Sequence, residues 1–124
     1  MSLQMITRTF GGVQIVECNG RLVLGDESAN LRHLVRDLLN EHKQVVLDLG
    51  KVSYIDSSGL GVLVGLYSTA QRMGGGIKLA NLNPRLKDVM QITKVFTVFE
   101  VCDRAEDAAA GFNPLAGQST PGEW

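Results

Sequence analysis

Apolar residues in this chain alternate between short β-branched runs and longer stretches at helical spacing. Residues 4–10 and 13–18 read as strands. Val13 and Ile15 flank Gln14 on one face, Val16 and Cys18 supply the other, and Gly11-Gly12 between the runs signals a hairpin. Gly20 to Gly25 reads as a link, after which Asp26 or Ser28 is positioned to cap a helix. Leu31, Leu34, Val35, Leu38 and Leu39 fall at i, i+3, i+4, i+7 and i+8, an amphipathic stripe ending near His42. Val45 to Leu49 is short and mostly apolar, the pattern of a buried central strand, and Gly50 to Ile55 reads as a loop.

Val62 to Met73 is apolar over much of a helical circumference. Gly61 and Gly65 lie one turn apart and are expected to permit close packing against a sheet; Gly74-Gly75-Gly76 ends the helix. Ile77 to Leu82 predicts a strand. Asn83 and Pro84 suit the cap and first position of a third helix, with Leu86, Val89 and Met90 as its apolar side. Phe96 to Cys102 predicts the last strand. Asp103 and Glu106 have capping-box spacing before a small helix containing Ala105, Ala108 and Ala109.

This order predicts an α/β domain: a mixed, mostly parallel sheet of about five strands with an N-terminal hairpin and about four helices. Whether the helices cover one face or both is not legible from periodicity. The domain is expected over residues 4–111, with residues 112–124, rich in Gly, Pro, Ser and Thr, as a flexible tail.

Composition changes this picture little. The chain has 124 residues, 44% hydrophobic and 20% charged, enough for one domain with its own core. The net charge is −1 and the basic residues are scattered, which argues against nucleic acid and against an anionic membrane surface as partners. No apolar run approaches the ~20 residues of a membrane span, and no signal peptide is visible, so a cytoplasmic location is expected. Cys18 and Cys102 lack CxxC spacing or a nearby His, so they read as small core residues rather than metal ligands; sequence leaves a disulfide open, with two buried thiols the simpler reading.

Chemistry concentrates in Asp56-Ser57-Ser58-Gly59-Leu60-Gly61, between a strand and a helix, where open α/β sheets place their sites. Two hydroxyls there face the positive end of a helix, which favours an added negative charge. Phosphate on Ser57 would add about −1.5 to −2 charges. Gly59 and Gly61 leave room for another protein to approach the backbone, and a bulky residue at either is expected to harm folding or docking. The same residues also suit an ordinary helix cap. No His or Lys is adjacent to activate a serine, so any proton acceptor is expected on a partner enzyme.

Val46-Leu47-Asp48-Leu49 followed by Tyr54-Ile55-Asp56-Ser57-Ser58-Gly59-Leu60-Gly61-Val62-Leu63 resembles the signature of STAS-domain anti-sigma factor antagonists. Supporting features extend over residues 4–110, including the Gly20 and Asp26 region and the Asn83-Pro84 helix followed by Phe96 and Phe99. The resemblance implies a partner switch. An unphosphorylated antagonist binds an anti-sigma factor with a histidine-kinase-like ATPase domain and so releases a sigma factor. That partner phosphorylates the serine after the Asp, and a PP2C-type phosphatase reverses the step. Carried over by motif, Ser57 is the phosphate acceptor, with Ser58 the adjacent alternative. Asp26, Asp56, Ser57, Ser58, Gly59 and Leu60 are then the partner-binding residues. No cofactor, metal or catalytic residue is implied, and the free protein is expected to be a monomer. The alternative within the family is an interaction module in another system, a stress-signalling assembly or a lipid-transport accessory.

Other classes fit less well. A receiver domain phosphorylated on Asp48 needs an acidic pair for Mg²⁺ after the first strand, and Glu17 is the only acid near there. The G-x-S-x-G and G-x-x-x-x-G-K-[ST] motifs are absent. His33 and His42 read as helix-surface residues.

Overall fold

A computed structural model describes residues 3–112. Strands β1 (Leu3–Phe10) and β2 (Val13–Leu22) pair antiparallel, with Phe10 opposite Val13. The intervening Gly11 and Gly12 have φ of 59° and 83°, the left-handed pair that a two-residue hairpin turn requires. The chain continues through α1 (Asp26–His42), β3 (Gln44–Ile55), α2 (Ser57–Arg72), β4 (Gly76–Ala80) and α3 (Pro84–Thr93). A 3-10 turn (Val95–Thr97), β5 (Val101–Cys102) and α4 (Ala105–Phe112) follow. The sheet has five strands in the order β1-β2-β3-β4-β5, and every pair after the first is parallel.

Helices cover both faces, unequally. Leu31, Val35 and Leu39 of α1, Leu63 and Leu66 of α2, and Leu86 and Met90 of α3 bury against Val45, Leu47 and Leu49 of β3. On the reverse face Val13, Ile15, Val46 and Ala80 meet Ala105, Ala108 and Ala109 of α4. Successive side chains of β3 point to opposite faces, which is why its start reads as a continuous apolar run. Cys18 is buried in the main core, and desolvation pushes its thiol up to about 12; Cys102 is half-buried and also free.

The largest departure from expectation is the segment read as a loop. β3 does not end at Leu49 but runs to Ile55, and β2 runs past Cys18 to Leu22. β4 pairs with β3 only from Gln44 to Asp48, while β2 stays paired beyond it, Gly20 opposite Val52 and Leu22 opposite Ile55. The two strands therefore extend past the end of β4 as a paired arm of the sheet, whose Leu22, Val52 and Ile55 stay buried in the main core. Register shifts between Glu17/Asn19 and Gly20/Arg21 break the alternation that would have marked the arm in sequence.

Helix ends correct several further expectations. Neither Asp26 nor Ser28 caps α1. Gly25 holds that position without a side-chain bond, Asp26 is the first helical residue, and the Ser28 hydroxyl donates to the Val23 carbonyl. Asn83 caps α3 as expected, its Oδ1 accepting from the Leu86 N–H at 3.0 Å. Asn81, at φ 60°, ends β4 two residues early. The last strand contracts to Val101–Cys102, because Val95 and Phe99 turn into the main core, where Phe99 meets Tyr67 edge-on at 5.3 Å. Glu106 is drawn to Arg8 at 2.9 Å rather than closing a box with Asp103. Phe112, assigned to the tail in the sequence reading, ends α4 with its ring 4.4 Å from the Lys78 ammonium. The rest of that tail lies outside the described residues.

The α2 glycines divide differently than expected. A Cβ on Gly59 would lie 2.3 Å from the Leu22 carbonyl oxygen, whereas one on Gly61 or Gly65 meets nothing within 4 Å. Gly61 and Gly65 face outward and Gly59 alone is a packing requirement. Gly59→Ala is expected to destabilise by about 1–3 kcal/mol through overpacking. Gly61→Ala is expected to stabilise by about 0.5–1 kcal/mol through lost unfolded-state freedom. Urea denaturation of both variants checks the opposite signs; destabilisation by Gly61→Ala would contradict the open environment.

Candidate functional site

The β2–β3 arm ends by delivering two connections to one place. Leu22 leads into the β2–α1 connection and Ile55 into the start of α2. The Asp56 N–H donates to the Leu22 carbonyl at 3.3 Å. The Asp56 carboxylate then accepts twice: Oδ1 from the Gly59 N–H at 2.8 Å and Oδ2 from the Leu24 N–H at 3.1 Å. The first bond caps α2, and the second ties α2 to the connection before α1. Gly59 backs directly onto Leu22, so the two connections are in contact as well as bonded. The backbone N–H groups of Gly59 and then Leu24 hold the Asp56 carboxyl below the usual carboxylate range.

Asp56, not a serine, therefore serves as the cap. Ser57 is the first residue of α2 and is exposed, with its hydroxyl at the positive end of a 16-residue helix. Ser58 is half-buried and faces a groove between α1 and α2. Gly59 is buried and Leu60 half-buried against the main core, so their contribution to a docking face is mainly backbone and partial side chain. Asp26 is exposed at the start of α1, two residues beyond Leu24, on the connection that Asp56 holds. The six residues singled out in sequence thus belong to two neighbouring connections at one end of the sheet.

Two features of this end were missed. Leu24 is 77% exposed beside the Asp56 carboxylate. Tyr54 is 44% exposed, and the Arg21 guanidinium lies 5.4 Å from its ring centre. A lone leucine before Gly25 was a readable signal for Leu24. Tyr54 required knowing that Arg21 and Tyr54 are strand partners.

Asp48, the acceptor in the receiver-domain alternative, takes bonds from the Gly50 N–H at 3.0 Å and the Asn81 side-chain amide at 3.1 Å. Among the described residues no three His, Cys, Asp or Glu side chains gather as a metal site. His33 is exposed, and His42 is half-buried beside Glu41. No helix among the described residues is long and apolar enough to cross a membrane.

Comparison with known proteins agrees with this geometry. The STAS domain family profile matches residues 4–108, and the chain belongs to that family. Several curated relatives carry the name anti-sigma factor antagonist. The anti-sigma-B factor antagonist of Bacillus subtilis is 34% identical over 76 residues, 61% of this chain and 70% of the relative. The anti-sigma F factor antagonist of Paenibacillus polymyxa is 27% identical over 111 residues, 87% of this chain and 93% of the relative. The unphosphorylated structure of the anti-sigma factor antagonist SpoIIAA superposes with a TM-score of 0.66 at 19% identity, covering 89% of this chain and 96% of that one, a likeness of fold.

Asp56→Ala removes both carboxylate bonds and is expected to lower the thermal midpoint at neutral pH. The folded-state pKa is depressed, so the stabilising contribution is complete above the unfolded value of about 3.9 and is lost as pH falls through the folded value. The gap between wild type and Asp56→Ala should therefore close below about pH 4. Thermal melts across that range check it, and a pH-independent gap would show that the carboxylate charge is not involved.

Proposed function

We propose that this chain is an anti-sigma factor antagonist acting as a serine-phosphorylation-controlled partner switch. Residues 4–111 form the switch domain. Unphosphorylated, it binds an anti-sigma factor with a histidine-kinase-like ATPase domain and so frees a sigma factor. The partner's kinase activity places phosphate on Ser57, and a PP2C-type phosphatase removes it, in the cytoplasm. The observation that carries this reading is the exposed Ser57 at the start of α2, relieved of capping by Asp56. A hydroxyl committed to the N-cap bond would have to give up that bond to be modified; this one does not.

The docking face comprises Asp26, Asp56, Ser57, Ser58, Gly59 and Leu60, joined by exposed Leu24. Phosphate on Ser57 sits beside the Asp56 carboxylate and brings a strongly hydrated group to a face that must be desolvated on docking. Both effects weaken binding. The SpoIIAA fold has been solved in a phosphorylated as well as an unphosphorylated form, which supports phosphorylation as the controlling event in a similar fold. The named relatives favour this reading over a STAS module serving another assembly or a lipid transporter.

Immobilised wild type, Ser57→Ala and Ser57→Asp, exposed to native-host lysate, test it. Wild type and Ser57→Ala are expected to retain an anti-sigma factor ATPase that Ser57→Asp binds about tenfold or more weakly. Equal retention by all three, with mass spectrometry showing no such ATPase, would remove the partner-switch assignment.

A further inference from the structure

An open groove of about 570 Å³ runs between α1 and α2. Arg32 and Arg36, one turn apart, form the α1 wall, and Arg72 stands at the far end of α2. Among the described residues no acidic side chain lines the groove. None of the three arginines joins an ion pair among the described residues. Among the described residues Arg72 donates only to the Thr69 hydroxyl, at 3.2 Å. Gly61 and Gly65 pave the groove, and a Cβ at either would meet nothing within 4 Å. Three cationic groups thus flank an open, glycine-paved channel with no carboxylate partner among the described residues.

We propose that this groove is the docking site for an acidic helical segment of a protein partner, its carboxylates spaced one turn apart. Charge selects an acidic occupant, because planar guanidinium groups pair bidentately with carboxylates. Shape selects a helix. From Gly61 to Arg72 the channel follows α2 for about 16 Å, a length suited to a peptide of three turns rather than to a compact ion. Both walls are helices whose backbone groups are already bonded, so a strand lying there would leave its own amides unpaired, whereas a helix satisfies them internally. Gly61 and Gly65 let a third helix axis approach α2 closely. A flat anionic membrane reaches the arginines but not this floor.

The test uses the isolated full-length chain, labelled with nitrogen-15, and a designed alanine-rich helical peptide of roughly 15 residues carrying glutamates at i and i+4. Its glutamine twin, inorganic triphosphate and phosphatidylglycerol vesicles are the other probes. The glutamate peptide is expected to bind saturably, shifting the amide signals of Gly61, Gly65 and Ser68, and to weaken as salt rises. Replacing Arg32, Arg36 and Arg72 together by Ala should weaken it about tenfold or more. Gly65→Leu fills the floor with a better helix former, so it should lose the peptide while keeping an equal or higher thermal midpoint. Equal binding of the glutamine twin, unchanged affinity in the arginine variant, or shifts confined elsewhere overturns the proposal. Triphosphate displacing the peptide reassigns the groove to small anions, and arginine-dependent vesicle binding without peptide binding reassigns it to a membrane surface; either overturns it. Neither kinase nor phosphate enters the experiment, so its failure leaves the Ser57 reading intact.

Discussion

One carboxylate organises the end of the sheet where β2 and β3 run out. Asp56 accepts from Gly59 on one oxygen and from Leu24 on the other, while its own N–H reaches Leu22. These bonds join two connections that lie more than 30 positions apart in the chain. Each of the two donors would otherwise be a backbone N–H without an intramolecular partner, at a helix start or in a turn. The arm of β2 and β3 brings them within reach, and Gly59 permits the contact because it has no Cβ to strike the Leu22 carbonyl. The carboxylate bonds, the arm and the glycine depend on one another. Lengthening a side chain at Gly59 or removing the Asp56 carboxylate would part the same two segments.

This interdependence explains what was legible in the sequence. The class of fold followed from periodicity, since the stripe from Leu31 to Leu39 and the run from Val45 to Leu49 are each set by one local geometry. The Asn83-Pro84 cap was local too and appeared where expected. The arm was not local. Lys51 to Ile55 is a strand because β2 pairs with it, and shifts in that pairing scramble the alternation on which a sequence reading relies. The 96–102 segment failed for the complementary reason. Its residues have strand-like chemistry, but Phe99, with Val95 just before the segment, is buried in the main core, and the strand is left with Val101–Cys102.

The site was legible as a cluster of residue types but not as a division of roles. Asp56-Ser57-Ser58-Gly59 offers three candidate capping side chains, and nothing in their order says which one bonds the helix. Backbone geometry decides: Asp56 is extended, with φ −106° and ψ −175°, and Ser57 is already helical. Likewise Gly59, Gly61 and Gly65 look alike in sequence, and only their positions around α2 show that the first meets β2 and the others face a groove. Asp26 was singled out with the correct connection but an incorrect capping role, which Gly25 takes instead.

Separating the cap from the exposed hydroxyl has a consequence for how such a switch would act. A group added to Ser57 leaves the Asp56 bonds to Gly59 and Leu24 formally intact, because Ser57 takes part in neither. The added charge also lies at the positive end of α2, where the helix dipole offsets part of the repulsion from Asp56. Folding is therefore buffered against the modification, while a docking face that includes the exposed Ser57 side chain would not be. A phosphate buries poorly against another protein unless that protein supplies cations for it. The architecture thus favours a change of partner over a change of fold, since the bonds that define the end of the sheet lie one residue away from the atom that would be modified.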